Sequence, residues 1–243
     1  MKFPDKGEIF PAKNKKYREL IFFVHFFEGS KKKIHPHIAL VNELGFDAFA
    51  FQAHDHFSIF DLPITTELSF GLQHRIADQI ENLLNLLDGD KIVFAFSGPS
   101  SAAIEAIARR GASDIRALVC DSGPSGEFLK SIYNLLEHER RLPLWQRLIQ
   151  WPVFSVIWNP SLQNTLSEDL RKFPQDFKIL SIRGWKDKLM PPGHIDAVFE
   201  PHSHLDWRKL SLPRAEHLRG LKEYPEDYST GLIKFLNEVA RPS

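Results

Sequence analysis

A single cysteine, Cys120, stands in this chain of 243 residues. No intramolecular disulfide can form, and no cysteine-rich zinc site can be assembled. Cys120 falls in the apolar run Ala117-Leu118-Val119-Cys120, the setting of a buried packing residue. An excess of one charge is missing too. The 31 Lys and Arg balance 31 Asp and Glu, so electrostatic capture of nucleic acid or of an anionic membrane is not expected. The Lys31-Lys32-Lys33 run is too short to alter this and reads as a solvated loop. Long apolar runs are also absent. The longest, 20–27, is interrupted by His25 and falls far short of a bilayer span. Met1-Lys2-Phe3-Pro4-Asp5-Lys6 is polar and offers no apolar core for a secretory signal, so the expected location is the cytoplasm. No G-x-G-x-x-G opens a helix, and no Gly-Lys-Ser/Thr follows residues 95–99. Neither a dinucleotide cofactor nor a phosphate-binding loop is therefore expected.

What the chain does contain is an alternation of strand and helix. Hydrophobic residues make up 43% of it, enough for a globular core, and the length suits one large domain, 1–243. Residues 20–24, 47–51, 91–96, 115–120, 177–182 and 207–212 read as strands, the first of them apolar on both faces. Helices are predicted over 34–44, ended by Gly45, over 72–87, ended by Asp88-Gly89-Asp90, and over 100–110, ended by Gly111. An amphipathic helix over 228–239 closes the chain. This order predicts an α/β fold with a mainly parallel central sheet covered by helices on both faces. No internal repeat, low-complexity segment or linker interrupts it.

One connection is too long. A parallel crossover needs about a dozen residues or somewhat more, whereas the stretch from Cys120 to Phe177 is several times that. Its excess, 126–174, carries Leu135, Leu136, Leu144, Trp145, Leu148, Trp151, Phe154, Ile157 and Trp158. It is expected to form a helical cap over the C-terminal edge of the sheet, where open α/β sheets bind ligands, and to line an apolar pocket there.

Three short segments, each after its own predicted strand, carry the chemistry. They are Phe94-Ala95-Phe96-Ser97-Gly98-Pro99-Ser100, Arg183-Gly184-Trp185-Lys186-Asp187 and Ala215-Glu216-His217-Leu218. A serine hydroxyl needs a base within hydrogen-bond reach, and the base needs an orienting acid. Ser97, Asp187 and His217 supply the three in the order Ser…Asp…His. That order, with a serine on a sharp strand-to-helix turn, resembles the α/β-hydrolase family, and the likeness runs from Leu20 to Leu236. The resemblance implies the α/β-hydrolase fold, with Ser97 as nucleophile, His217 as base and Asp187 as acid. It also implies an oxyanion hole made by the backbone N–H groups of Gly98 and Phe27. Phe27 lies in Val24-His25-Phe26-Phe27-Glu28-Gly29-Ser30, which is similar to the family's H-G-x-x-G-S loop; the His25 ring would brace that loop.

The chain departs from the family's G-x-S-x-G in two places, with Ala95 for the first glycine and Pro99 for the second, and Phe26 replaces a glycine of the oxyanion loop. Ala95 is still small, and proline suits the first turn of a helix. Gly98-Pro99-Ser100-Ser101-Ala102 offers a second register with Ser100 as nucleophile, but it would place proline inside a central strand. Asp121 is a second candidate acid, in an Asp-Ser-Gly-Pro setting that reads as a plain turn. Three His-x-His pairs, His35/His37, His54/His56 and His202/His204, have strand spacing for a metal, and His54-Asp55-His56 is the most suggestive. It lacks a following Asp-His pair, and no metal is expected.

The expected activity is cofactor-free hydrolysis of a small ester, thioester or other acyl compound through an acyl-enzyme on Ser97. The substrate is a small molecule; no nucleic-acid partner and no membrane span are expected, and oligomeric state is not legible. A different class of function also follows from the departures. If they misaim Ser97, the chain is an inactive hydrolase-fold protein that binds a ligand or acts as a scaffold.

Overall fold

Seven strands lie side by side in the computed structural model, which describes residues 3–54, 71–159 and 164–243. They are β1 (Glu8–Phe10), β2 (Leu20–Val24), β3 (Asp47–Ala50), β4 (Lys91–Phe96), β5 (Ile115–Asp121), β6 (Lys178–Gly184) and β7 (Asp206–Leu212). Their spatial order is β1-β3-β2-β4-β5-β6-β7. Every pairing is parallel except that of β1 with β3. β1 was not predicted. Its sequence is short, with Glu8 and Ile9 exposed, and an edge strand of this kind carries little hydrophobic signal.

The helices are α1 (His35–Leu44), α2 (Leu72–Leu86), α3 (Pro99–Arg110), α4 (Phe128–Asn134), α5 (Leu144–Trp158), α6 (Leu166–Arg171), α7 (Pro192–Phe199), α8 (Gly220–Glu223) and α9 (Pro225–Val239). A π-helical turn, Leu135–Glu139, continues α4. Side chains alternate across each strand, so the sheet feeds two cores. Phe22, Val93, Ala95, Leu118 and Cys120 pack with α2, α3, α6 and α7 on one face. Ile21, Phe23, Phe94, Phe96 and Val119 pack with α1 and α9 on the other. Three of the four alanines of α3, Ala102, Ala103 and Ala106, are wholly buried, and their small size lets this helix lie close against the sheet. Cys120 is wholly buried and burial pushes its thiol far up, as its apolar setting suggested.

Two helices begin earlier than expected, each at a proline. α3 begins at Pro99 and α9 at Pro225, each proline sitting in a first turn where its missing N–H costs nothing. α7, also begun by proline, was not predicted; eight residues are too few to show a helical repeat. Among the described residues no helix is long and apolar enough to cross a membrane.

One glycine fixes the packing of the sheet's end against the loop that follows β7. A Cβ on Gly184 would lie 2.2 Å from the Ala215 carbonyl oxygen, and the obstacle is backbone that cannot swing away. Gly184→Ala is expected to destabilise the protein by about 3 kcal/mol or more, at the upper end of overpacking costs. Denaturant unfolding checks this, and an unchanged midpoint would show that the two segments separate freely.

Candidate active site

The C-terminal ends of β2, β4, β5, β6 and β7 converge on one cavity of about 510 Å³. Ser97 sits between β4 and α3 with φ +54°, a left-handed conformation that a residue other than glycine rarely holds. The turn is fixed from several sides. Ser97 N–H donates to the Asp121 carbonyl at 2.8 Å, while Ser100 N–H returns to the Ser97 carbonyl at 3.1 Å. Gly98 and Pro99 then start α3, and the Ser101 hydroxyl donates to the Gly98 carbonyl at 2.8 Å. The two departures from the family's glycines therefore leave a strand–turn–helix with the serine at its apex.

Ser97 Oγ lies 2.9 Å from Nε2 of His217, and Nδ1 of His217 lies 2.6 Å from Oδ2 of Asp187. His217 follows β7 and Asp187 follows β6. The other Asp187 oxygen, Oδ1, accepts the N–H groups of Leu189 at 2.9 Å and Met190 at 2.8 Å. The carboxylate is thus held in one orientation, with Oδ2 left for the imidazole. Asp187 is buried, and Ser97 is 6% exposed and lines the cavity. The structure brings together the three residues picked from the sequence. Ser100, of the second register, is wholly buried beside Cys120 and does not line the cavity.

Gly98 and Phe27 also line the cavity. Gly98 stands at the N-terminus of α3, where backbone N–H groups lack helical partners and attract negative charge. Phe27 is the second residue of a turn closed by Gly29 N–H on the Phe26 carbonyl, 2.8 Å, with Glu28 at φ +55°. His25 braces this turn, as expected. Its Nε2 accepts from Ala53 N–H at 2.9 Å and from the Gln52 amide at 3.1 Å. That leaves the proton on Nδ1, which donates to the Phe26 carbonyl at 2.8 Å. Phe26 adds a ring to the cavity wall without unmaking the turn.

The long connection between β5 and β6 supplies much of the remaining wall through Phe128, Ile132, Leu135, Phe154, Ile157 and Trp158. Trp158 stands over the serine turn, 5.7 Å edge-on from the Phe27 ring and close above Gly98. The aromatic and aliphatic load of this connection is not all in the pocket. Leu136 is core, and Leu144, Trp145, Leu148, Ile149, Val153 and Val156 form an exposed stripe along α5. Helical periodicity in α5 did not reveal which face turns inward, because both faces are apolar.

Asp121 corrects the expectation of a plain turn. It ends β5, is 2% exposed, and accepts the hydroxyls of Tyr228 at 2.6 Å and Ser122 at 2.8 Å. Burial pushes its carboxyl up to about 6, although both hydroxyls pull the other way. His37 Nε2 lies 3.9 Å away on α1, and burial holds that imidazole down to about 4. His35 and His37 lie at the start of a helix, where residues two apart do not share a face, so strand spacing does not apply. His54 pairs with Asp5 at 3.0 Å; His56 lies outside the described residues. His202 and His204 follow α7 in a turn, and the His204 ring bonds the Leu170 carbonyl.

Strand order, the serine turn after β4, and an acid and a base after β6 and β7 together define the α/β-hydrolase fold. No protein-family model matches the sequence, and no curated relative is found. Solved structures of this fold do superpose. Esterase Pf2001 of Pyrococcus furiosus matches 91% of this chain and 81% of its own, with a TM-score of 0.69 at 16% identity. A thermostable carboxyl esterase of Bacillus coagulans matches 96% and 94%, with a TM-score of 0.67 at 16% identity. MenH of S. aureus matches 96% and 98%, with a TM-score of 0.64 at 14% identity.

Proposed function

We propose that this chain is a cofactor-independent serine hydrolase that cleaves a small ester, thioester or other acyl compound through an acyl-enzyme on Ser97. The observation that carries this reading is the unbroken hydrogen-bonded chain from Ser97 Oγ through His217 to Asp187, ending on a serine held in a strained turn. The esterases of the same fold support it. In the first half-reaction Ser97 Oγ attacks the acyl carbonyl while His217 Nε2 takes its proton. The N–H groups of Gly98 and Phe27 receive the charge on the carbonyl oxygen, and His217 returns the proton to the leaving group. Water then attacks the acyl-enzyme with His217 again as base. Asp187 keeps the proton of the neutral imidazole on Nδ1 and stabilises the imidazolium. Residues 126–174 act as a cap, and the apolar cavity beneath them favours an uncharged, hydrocarbon-rich acyl group.

Labelling with a fluorophosphonate probe tests the reading. Wild type and Ser100→Ala should label, and Ser97→Ala should not. Absence of labelling in folded wild type would turn the search toward a bound ligand in place of a substrate. A chelator should leave the rate unchanged within about twofold, since no step needs a Lewis acid; loss of activity would point instead to His54 and His56. Trp158→Ala removes the ring above Gly98 and should shift kcat/KM among p-nitrophenyl esters, acetate through decanoate, toward longer or bulkier acyl groups by about tenfold. An unchanged profile would place the acyl group elsewhere.

A further inference from the structure

Three residues other than glycine hold left-handed backbone at one corner behind the reacting groups: Ser97 at φ +54°, Ser122 at +57° and Leu218 at +57°. The corner is Asp121-Ser122-Gly123, at the end of β5. On one side it grips the nucleophile turn. Asp121 accepts Ser97 N–H through its carbonyl, and a Cβ on Gly123 would lie 2.3 Å from the Ser97 carbonyl oxygen. On the other side it grips the base loop, because Ser122 Oγ accepts the N–H of Leu218, the residue after His217, at 3.1 Å. Ser122 N–H donates to the Ile182 carbonyl at 2.8 Å, which ties the corner to the strand that leads to Asp187.

We propose that Ser122 is a positioning residue that sets the base loop against the nucleophile turn, with Asp121 and Tyr228 holding its hydroxyl in place. This rests on the hydrolase reading above. The hydroxyl has one proton and two lone pairs. It gives the proton to Asp121 Oδ1 and takes the Leu218 N–H on a lone pair. The Tyr228 hydroxyl, from α9, fixes the other Asp121 oxygen. All three side chains are buried, where a fully satisfied polar set specifies one arrangement. The carboxyl of Asp121 is also faced by His37 from α1 and feels the charges of His217 and Asp187. An alanine at position 122 leaves Leu218 N–H without its acceptor and lets the base loop drift relative to Ser97.

Two variants test this, Ser122→Ala and Ser122→Gly. Glycine takes the left-handed backbone at no steric cost, so Ser122→Gly removes the hydroxyl while keeping the fold accessible. Both should lose about 10- to 100-fold in kcat on a short p-nitrophenyl ester, the size of effect a misplacement near 1 Å produces. KM should stay within about twofold. The far-downfield Nδ1 proton resonance of His217 should broaden or vanish in both. A Ser122→Gly protein with wild-type kcat and an intact resonance overturns the proposal, whatever its melting temperature. Wild type that neither turns over esters nor labels with the phosphonate overturns the hydrolase reading instead. In that case the resonance alone decides whether Ser122 positions His217.

Discussion

Ser97→Ala should lower kcat/KM for any ester the protein hydrolyses by about 10⁴-fold or more, with a melting temperature close to wild type. The effect is large because, in the proposed mechanism, the hydroxyl is the one group of the site that forms a bond to substrate. The remaining machinery, the N–H groups and the cavity, still binds, so KM should change little. Stability should hold or rise. Ser97 pays for its φ of +54° in backbone strain, and alanine at the same φ carries no greater burden. Steady-state kinetics together with thermal unfolding measure both effects. A variant that keeps a tenth or more of wild-type activity would mean that another nucleophile acts.

Asp187→Asn should cost about 10³- to 10⁴-fold in kcat, and the reason is a tautomer. Two backbone donors, Leu189 N–H and Met190 N–H, point at Oδ1. An asparagine at this place turns its carbonyl oxygen toward them, because its amide nitrogen facing two N–H groups would bury three donors without an acceptor. The amide nitrogen then faces His217 Nδ1, where the carboxylate had been. It can only donate there, so Nδ1 becomes an acceptor and the imidazole proton moves to Nε2, the atom beside Ser97 Oγ. A protonated Nε2 cannot accept the serine proton. KM should hold within about threefold, since nothing that touches the acyl group has changed. Near-normal kcat in Asp187→Asn would show that a second acid serves His217, and the Asp121 carboxyl would be the one to examine.

The three residues of the proposed triad could be picked from the sequence because each sits at a boundary that the chain advertises. Ser97 and Asp187 follow apolar strands, and His217 stands between the last strand and the last helix. The supporting residues were not legible. Gly123 and Gly184 matter because backbone from a distant segment presses on them, and that contact has no local signature. Asp121 and Ser122 look like an ordinary turn in sequence. They become a hub only when α9 brings Tyr228 across from more than a hundred residues away. The fold itself was read well where strands are buried on both faces, as in β2 and β4. It was missed where elements are short, as in β1 and α7; α5 lies in the stretch expected to be helical, but its sequence does not show which face turns inward, because both faces are apolar.

The proposed acylation of Ser97 is open to direct observation. Mixing the protein with a slowly hydrolysed p-nitrophenyl ester, quenching in acid and digesting with trypsin isolates the peptide from Ile92 to Arg109, which holds Ser97, Ser100 and Ser101. Fragment ions then assign the modified residue. An acyl group on Ser97, absent from Ser97→Ala and His217→Ala, is the outcome predicted here. An acyl group on Ser100 or Ser101, or steady turnover with no trapped adduct on this peptide, would contradict it.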